Sequence, residues 1–571
     1  MKGLVKRLRK QTSTPKGKII AFSILGIIVL VITAGIYYWN VHKHKIIEQE
    51  ITGLIENKSN GLYKLKYDDL SLDEVNGNLS IKNISLISDS LKFDSLKKLN
   101  EAPNILFDIN IPLLYVTGVK TPAALLNKEI IGNKIKITNA AISITYTGLG
   151  SDSAKNIPTS KLYQQLLGNL NLIKIDTIEL AGVTLLTKRL GDKEAIVKVS
   201  NANILLSDVA VDSAANADTT RIIFARHISA EIDSAQWKTK DNLYKFVVAG
   251  LSINSEQQNL GMKSVKAIPQ YDEATFPHKL PFQGDRFDVQ VANLQLQNIS
   301  FNQLSEEKII AEKLIIPNGT LKIYRDKNFL RDKKNRVGTY PHQMLTQAPL
   351  PIFIKQLLVS NVMIEYKEKS YKTKQKAAVQ FAGTNGSITN LTNIKDSLEK
   401  NNLAVANLKT KFLNAGNLDT KWTFYLGNPN GRFDIEANLG TMSATTASPI
   451  TEALASIKIN KGTINSLWLN TKGDDYKMTG QLKILYEDAK VALLKKPDED
   501  GDTKKKPILT LVANTLIKSN NPSGNKPARV EAIDYQRDTN RSIFTLIAKG
   551  ILEAVMKTAG MEMKEKPQDG H

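Results

Sequence analysis

The sequence of 571 residues contains no cysteine. A disulfide framework, a thiolate metal site and a thiol nucleophile are therefore excluded. Histidine is scarce, with six residues at positions 42, 44, 227, 278, 342 and 571, and none forms an HExxH motif. Only His42 and His44 are close in sequence, whereas a zinc site needs three or four ligands. The sequence therefore gives no support for a metal centre.

Motifs for catalysis and nucleotide binding are missing as well. The chain has no P-loop, no dinucleotide fingerprint and no GxSxG. The acidic run PDEDGDTKKKP (497–507) does not match the EF-hand order, so we interpret it as an exposed charged loop. We predict no catalytic residue, no cofactor and no enzymatic activity. An unfamiliar active site hidden in so long a chain is the remaining alternative.

Acidic residues are outnumbered, 56 against 77 Lys and Arg, which gives a formal charge of +21. A basic protein favours anionic partners, either nucleic acid or a membrane surface. Residues 1–18 carry seven Lys and Arg and no acid, and the 21 residues from Ile19 to Trp39 carry no charge at all. Such a run spans about 30 Å, the hydrocarbon thickness of a bilayer. Tyr37, Tyr38 and Trp39 close it with the aromatic residues typical of a membrane interface.

We predict an uncleaved membrane anchor, because a signal peptide would have a shorter apolar region and a small-residue cleavage site. The positive flank places the N-terminus in the cytoplasm and the bulk of the chain on the far side of the membrane, where nucleic acid is not expected. The predicted parts are a basic tail (1–18), the anchor (19–39), a juxtamembrane helix (40–60), a β-rich region (61–537) and a C-terminal amphipathic helix with its tail (538–571).

Apolar residues alternate along most of the chain, and the parity of this alternation changes repeatedly. In KIKITNAAISITY (134–146) the apolar positions are odd before Asn139 and even after it. Four further stretches show a similar jump of three or five residues, with no fixed period along the chain: TIELAGVTLL (178–180 to 183–185), KLIIPNGTLKIY (314–316 to 321–323), LLVSNVMIEY (357–359 to 362–366) and SIKINKGTIN (457–459 to 464). A short hairpin turn or a β-bulge would produce such a jump while keeping one apolar face.

We therefore predict a mainly β fold with few helices. The transmembrane helix is followed by an elongated, curled, antiparallel-rich sheet that forms an open apolar groove. A closed, packed core is the alternative. The residues predicted to line the groove are Ile135, Ile137, Ile142, Ile144, Leu314, Ile316, Leu321, Ile323, Val359, Val362 and Ile364.

Two further segments leave alternatives open. SIFTLIAKGILEAVMKTAG (542–560) predicts an amphipathic helix, which either caps the β-rich body or contacts a membrane at the groove end. YKEKSYKTKQK (366–376) interleaves tyrosine with lysine, which fits a phosphate-binding patch or, more simply, the polar side of a strand.

The early segment SNGLYKLKYDDLSLDEVNGNLSIKNISL (59–86) resembles the start of the AsmA-like proteins of Gram-negative envelopes. The stretch from IPLLYVTGV (111–119) to KIKITNAAISITY is similar to the next part of those proteins. The late runs GQLKILYEDAKVALLKK (480–496), LVANTLIKSNNP (511–522) and YQRDTNRSIF (535–544) are similar as well. The resemblance implies an inner-membrane anchor, a periplasmic β-groove related to bridge-like lipid carriers, and a role in phospholipid traffic and outer-membrane assembly.

The expected partners are thus the inner membrane, a phospholipid or another acyl lipid, and other envelope proteins. The expected function is to shelter or transfer phospholipids between the inner and outer membranes. A non-catalytic envelope scaffold with a dry β core is the alternative, because a packed core would carry no lipid.

Overall fold

The computed structural model describes residues 56, 59–73, 75–120, 127–149, 167, 170–371, 373–494, 511–512 and 517–561. The predicted basic tail, the anchor with Tyr37, Tyr38 and Trp39, and almost all of the juxtamembrane helix lie outside these residues. None of the helices within the described ranges is long and apolar enough to cross a bilayer. The described chain divides into an N-terminal unit (56–264 and 298–307) and a C-terminal unit (265–297 and 308–561).

The fold is mainly β, as predicted from the alternation of apolar residues. The strands of the N-terminal unit are β1 (Tyr63–Lys66), β2 (Asp69–Asp73), β3 (Asn78–Ser88), β4 (Ile105–Thr117), β5 (Glu129–Thr138), β6 (Ala141–Tyr146), β7 (Leu172–Arg189), β8 (Val197–Val211), β9 (Ala225–Lys238) and β10 (Tyr244–Asn254). Two strands, β11 (Asn259–Pro269) and β12 (Arg286–Ile299), have residues in both units.

The C-terminal unit continues the same strand-rich pattern. Its strands are β13 (Ile309–Ile316), β14 (Asn318–Asp326), β15 (Ile352–Lys369), β16 (Lys376–Thr392), β17 (Leu403–Phe412), β18 (Gly416–Tyr425), β19 (Phe433–Leu439), β20 (Met442–Ser443), β21 (Ile457–Gly473), β22 (Lys477–Leu494), β23 (Leu511–Val512) and β24 (Glu531–Gln536).

The described helices are short, apart from the last. They are α1 (Ser90–Lys98), α2 (Ser213–Ala217), α3 (Phe301–Ser305), α4 (Pro341–Thr346), α5 (Lys395–Lys400), α6 (Ser448–Ala455) and α7 (Ile543–Thr558), with 3₁₀ turns at Phe276–Lys279 and Ala444–Ala447. The side chain of Ser542 accepts a hydrogen bond from the Thr545 N–H and so caps the start of α7. The amphipathic helix predicted near the C-terminus is therefore present.

Strand pairing in the N-terminal unit is antiparallel except around β7. Strands β1 and β2 pair with successive parts of β3, which pairs with β4. Strands β5 and β6 lie end to end between β4 and β7, antiparallel to β4 and parallel to β7. The sheet continues through β8, β9 and β10 in antiparallel order.

The C-terminal unit repeats this arrangement and extends it. Strand β14 is antiparallel to β12, and β13 and β14 lie end to end along β15, parallel to it. Antiparallel pairing then runs through β16, β17, β18, β19, β21 and β22 to β24. Both units therefore contain the same mixed arrangement of four strands, β4 to β7 in one and β12 to β15 in the other.

The changes of parity occur within β7, β15 and β21, or between strands that lie end to end (β5 and β6, β13 and β14), and none of the five predicted sites is a hairpin turn. Asn139 separates β5 from β6, yet the register of both with β4 and β7 is unbroken. Neighbouring strands change parity at the same level, through residues with a positive φ: Asn83 (51°), Asn139 (53°), Gly182 (70°), Asn201 (50°) and Gly250 (59°). The hairpin interpretation is wrong here, because a single left-handed residue returns the next side chain to the same face without reversing the strand.

The two units resemble each other closely around the positions where the strands change parity. KIKITNAAISIT (134–145) corresponds to KLIIPNGTLKIY (313–324), and FDINIPLL (107–114) corresponds to FDVQVANL (287–294). The N–H of Gly182 donates to Asn203 Oδ1 over 2.9 Å, and the N–H of Asn361 donates to Asn385 Oδ1 over 3.1 Å. The same backbone device therefore serves in both units.

Two glycines of β16 allow the cost of a positive φ to be separated from the cost of a steric clash. Gly383 and Gly386 both have a positive φ, 57° and 146°. A Cβ at Gly383 would meet no atom within 4 Å, whereas a Cβ at Gly386 would lie 2.0 Å from the carbonyl oxygen of Asn407 on β17.

We predict that Gly383→Ala destabilises the protein by about 1–2 kcal/mol, through left-handed strain alone. Gly386→Ala should cost at least about 2 kcal/mol more, because β17 backbone must move as well. The measurement is the free energy of unfolding of both variants in denaturant. Equal losses would contradict the packing argument.

Candidate functional site

The N-terminal unit buries its share of the predicted groove residues. Ile135, Ile137, Ile142 and Ile144 are 2%, 2%, 5% and 0% exposed. They belong to one cluster with apolar residues of β3, β4, β7 and β8. In this unit the apolar face is therefore a packed core.

The C-terminal unit presents the corresponding face differently. The strand register brings the predicted residues together in three adjacent strands: Ile316 opposite Val359, Leu321 opposite Ile364, and Gly319 opposite Val362. All of the predicted residues in β13, β14 and β15, including Leu314 and Ile323, are only partly buried. This apolar surface on β13–β15, called the apolar face below, is the candidate functional site.

Helix α7 covers another part of the sheet in the C-terminal unit, at β22 and β24. Ile543, Leu546 and Ala554 pack into one cluster with Met478 and Ile533 of the sheet. Gly550 permits a close approach, because a Cβ there would lie 2.4 Å from Met478 Cε. The helix covers β22 and β24, which agrees with a cap on the β-rich body.

The connection between β14 and β15, residues 327–351, reaches across the C-terminal unit. Arg331 forms an ion pair of 2.8 Å with Asp538, which comes after β24. The N–H of Arg336 donates to the Thr539 carbonyl over 2.8 Å. Tyr340 packs edge-on against Phe433 of β19, with ring centroids 5.9 Å apart. This segment, called the strap, therefore links strands that are far apart in the sheet.

A fully buried ion pair holds the strap in place. The side chains of Arg537 and Asp475 are 0% exposed and are joined by an Nη1–Oδ1 contact of 2.6 Å. Asp475 also accepts from the Gly338 N–H and from Gln343 Nε2, over 3.1 and 2.6 Å. The Arg537 guanidinium lies 4.4 Å from the centre of the Tyr340 ring. Because a buried carboxylate needs several donors, these contacts define where the strap lies.

The apolar face gives way to polar residues at the C-terminal ends of β14 and β15. Arg325 and Asp285 form a bidentate pair with contacts of 2.7 and 2.6 Å. Glu368 accepts from the Tyr366 hydroxyl over 2.9 Å and pairs with Lys327 over 2.6 Å. Burial lowers the pKa of Lys327 and raises that of Tyr366. Charged groups thus come directly after the apolar residues of β14 and β15.

Sequence reasoning missed this polar end, although a signal was available. Continuing the alternation of Leu321 and Ile323 by one step places Arg325 on the same face. Continuing that of Val362 and Ile364 places Tyr366 and Glu368 there. The pairs of Arg325 with Asp285 and of Lys327 with Glu368 join residues far apart in sequence, so these contacts could not be inferred from periodicity.

The lysines of YKEKSYKTKQK are largely engaged within the protein. Lys367 and Lys376 both pair with Glu273, each over 2.8 Å. Lys374 donates to Asn328 and lies 4.4 Å from the Tyr371 ring centre. These contacts favour the strand interpretation over a phosphate-binding patch.

No protein-family model matches this chain, and a search of the curated proteins finds no match either. The functional argument therefore depends on the apolar face and its surroundings.

His342, in α4, offers a test of how tightly the strap is packed. Its side chain is 4% exposed, and its ring lies 5.0 Å from that of Phe424. Burial lowers the pKa of His342 to about 4. The unfolded chain, with an ordinary pKa near 6.5, therefore binds more protons than the folded chain between about pH 4 and 6.5.

Acidification from pH 7 to 4 should thus remove about 3 kcal/mol of stability through His342. His342→Phe should lose correspondingly less over this window, measured as the free energy of unfolding against pH. His278→Phe controls for loss of an imidazole from an exposed position. Parallel curves for wild type and His342→Phe would show that His342 is not buried in the folded state.

Proposed function

We propose that this protein is an inner-membrane-anchored periplasmic protein that shelters or transfers phospholipids between the inner and outer membranes. The observation that carries this proposal is the partly exposed apolar face on β13–β15. The uncharged run from Ile19 to Trp39, with its basic flank, supports an anchor next to the source of lipid.

The energetics explain why such a surface would matter. A phospholipid with two acyl chains exposes about 30 methylenes, each costing roughly 0.8 kcal/mol in water, so about 25 kcal/mol opposes free passage. An apolar surface along a sheet lowers that barrier without any chemical step. Transfer of this kind requires neither a cofactor nor a catalytic residue.

The second candidate function is an envelope scaffold with a dry core. The N-terminal unit favours it, because Ile135, Ile137, Ile142 and Ile144 are at most 5% exposed and belong to one buried cluster. The two candidates differ in the C-terminal unit, where a carrier would hold lipid against β15 and a scaffold would not.

Adjacent positions of β15 offer a matched test of the proposal. Ile364 lies on the apolar face, and Met363 lies on the opposite face of the same strand. A photoreactive amino acid at Ile364 of the full-length protein, illuminated in cells, should capture phospholipid several-fold more than the same group at Met363. The measurement is mass spectrometry of the adducts.

Equal capture at the two positions, or capture of protein alone at Ile364, would count against a lipid carrier and in favour of a scaffold. Unchanged thermal stability of both variants shows that the comparison is between folded proteins.

A further inference from the structure

The apolar face changes to a charged and polar surface over a short distance along β14 and β15. Ile323 is followed on the same side by Arg325, and Ile364 by Tyr366 and Glu368. Two residues of a strand span about 7 Å, so apolar and charged groups are neighbours. An amphipathic ligand would match this arrangement, with its apolar tail on the apolar residues and its polar head beside the charged ones.

Five cations gather at this end of the face. They are Arg325, Lys327, Arg331, Arg336 and Arg541, called the basic cluster below. Three carboxylates pair with four of them: Asp285 with Arg325, Glu368 with Lys327, and Asp538 with both Arg331 and Arg541.

Arg336 is the member that forms no ion pair with another described residue. Within the described part of the chain, its guanidinium makes no hydrogen bond or ion pair, although the side chain is partly buried. Its backbone is fixed on both sides, because its N–H donates to Thr539 and its carbonyl accepts from Arg537. Burial, followed by the charge of Arg325, lowers the pKa of Arg336, and the carboxylates of Asp332 and Asp285 oppose this shift only in part. An anion beside it would relieve both effects.

We infer that Arg336 binds the phosphate of an anionic lipid headgroup while the acyl chains lie on the apolar face. This inference rests on the proposed function and adds a chemical class of ligand to it. A guanidinium presents two parallel N–H donors to phosphate oxygens and is less strongly hydrated than an ammonium, so it suits a partly buried site. Because carboxylates pair directly with the other four cations, the Arg336 guanidinium is the one that makes no such pair within the described residues.

The inference predicts headgroup selectivity that depends on one residue, because the amine of a zwitterionic headgroup neutralises its phosphate, whereas an anionic headgroup keeps its net charge for Arg336. In the full-length protein with the photoreactive group at Ile364, Arg336→Gln should lower the ratio of anionic to zwitterionic phospholipid adducts by about tenfold, as expected from one charge-assisted hydrogen bond. Arg336→Lys should retain part of the selectivity. Lys334→Gln removes the same charge from an exposed position of the strap and should leave the ratio unchanged.

The outcomes separate this inference from the proposed function. Lipid capture with the same ratio in Arg336→Gln and Lys334→Gln would overturn the headgroup site and leave the carrier in place. Absence of lipid adducts in every variant would overturn both. In that case, inorganic phosphate that raises the melting temperature of the wild type but not of Arg336→Gln would assign the cluster to free phosphate instead.

Discussion

The structure depends on keeping one face of a long sheet apolar while its strands bend. A strand alternates its side chains strictly, so any irregularity of one residue would turn every later apolar group towards solvent. The left-handed residues at Asn83, Asn139 and Gly182 prevent this, and they lie at one level of neighbouring strands. Their positions are coupled, because a parity change in one strand alone would place apolar residues opposite polar ones. Asparagine and glycine tolerate this conformation at least cost.

The same scaffold occurs in both units, but its apolar face has different surroundings. In the N-terminal unit Ile105 lies opposite Tyr146, and the face continues as a buried cluster. At the corresponding place in the C-terminal unit, Asp285 pairs with Arg325. The apolar surface of the C-terminal unit therefore ends where an ion pair occupies the place of an apolar pair. A core can thus be converted into an amphipathic surface without any change of strand order.

The sequence predicted the class of fold and the identity of the apolar residues, since both depend on alternation over a few neighbours. It did not distinguish an in-strand break from a hairpin, because Asn139 is compatible with either. It also did not predict that Ile142 would be buried while Ile323 is partly exposed, which depends on what packs above each strand. The pair between Arg331 and Asp538 joins residues far apart in sequence, and no local pattern specifies such a contact.

The buried pair of Asp475 and Arg537 fixes the position of the strap more than it stabilises the fold. Removing two charges from water is costly, and their attraction offsets that cost only when further donors complete the site. Here the backbone of Gly338 and the side chain of Gln343 are those donors, and both belong to the strap. An apolar pair of similar size would accept many placements of the strap, whereas the ion pair accepts only one that satisfies the carboxylate. Because Arg336 precedes Gly338 by two residues and its carbonyl accepts from Arg537, fixing the strap also fixes where the charge of Arg336 is presented.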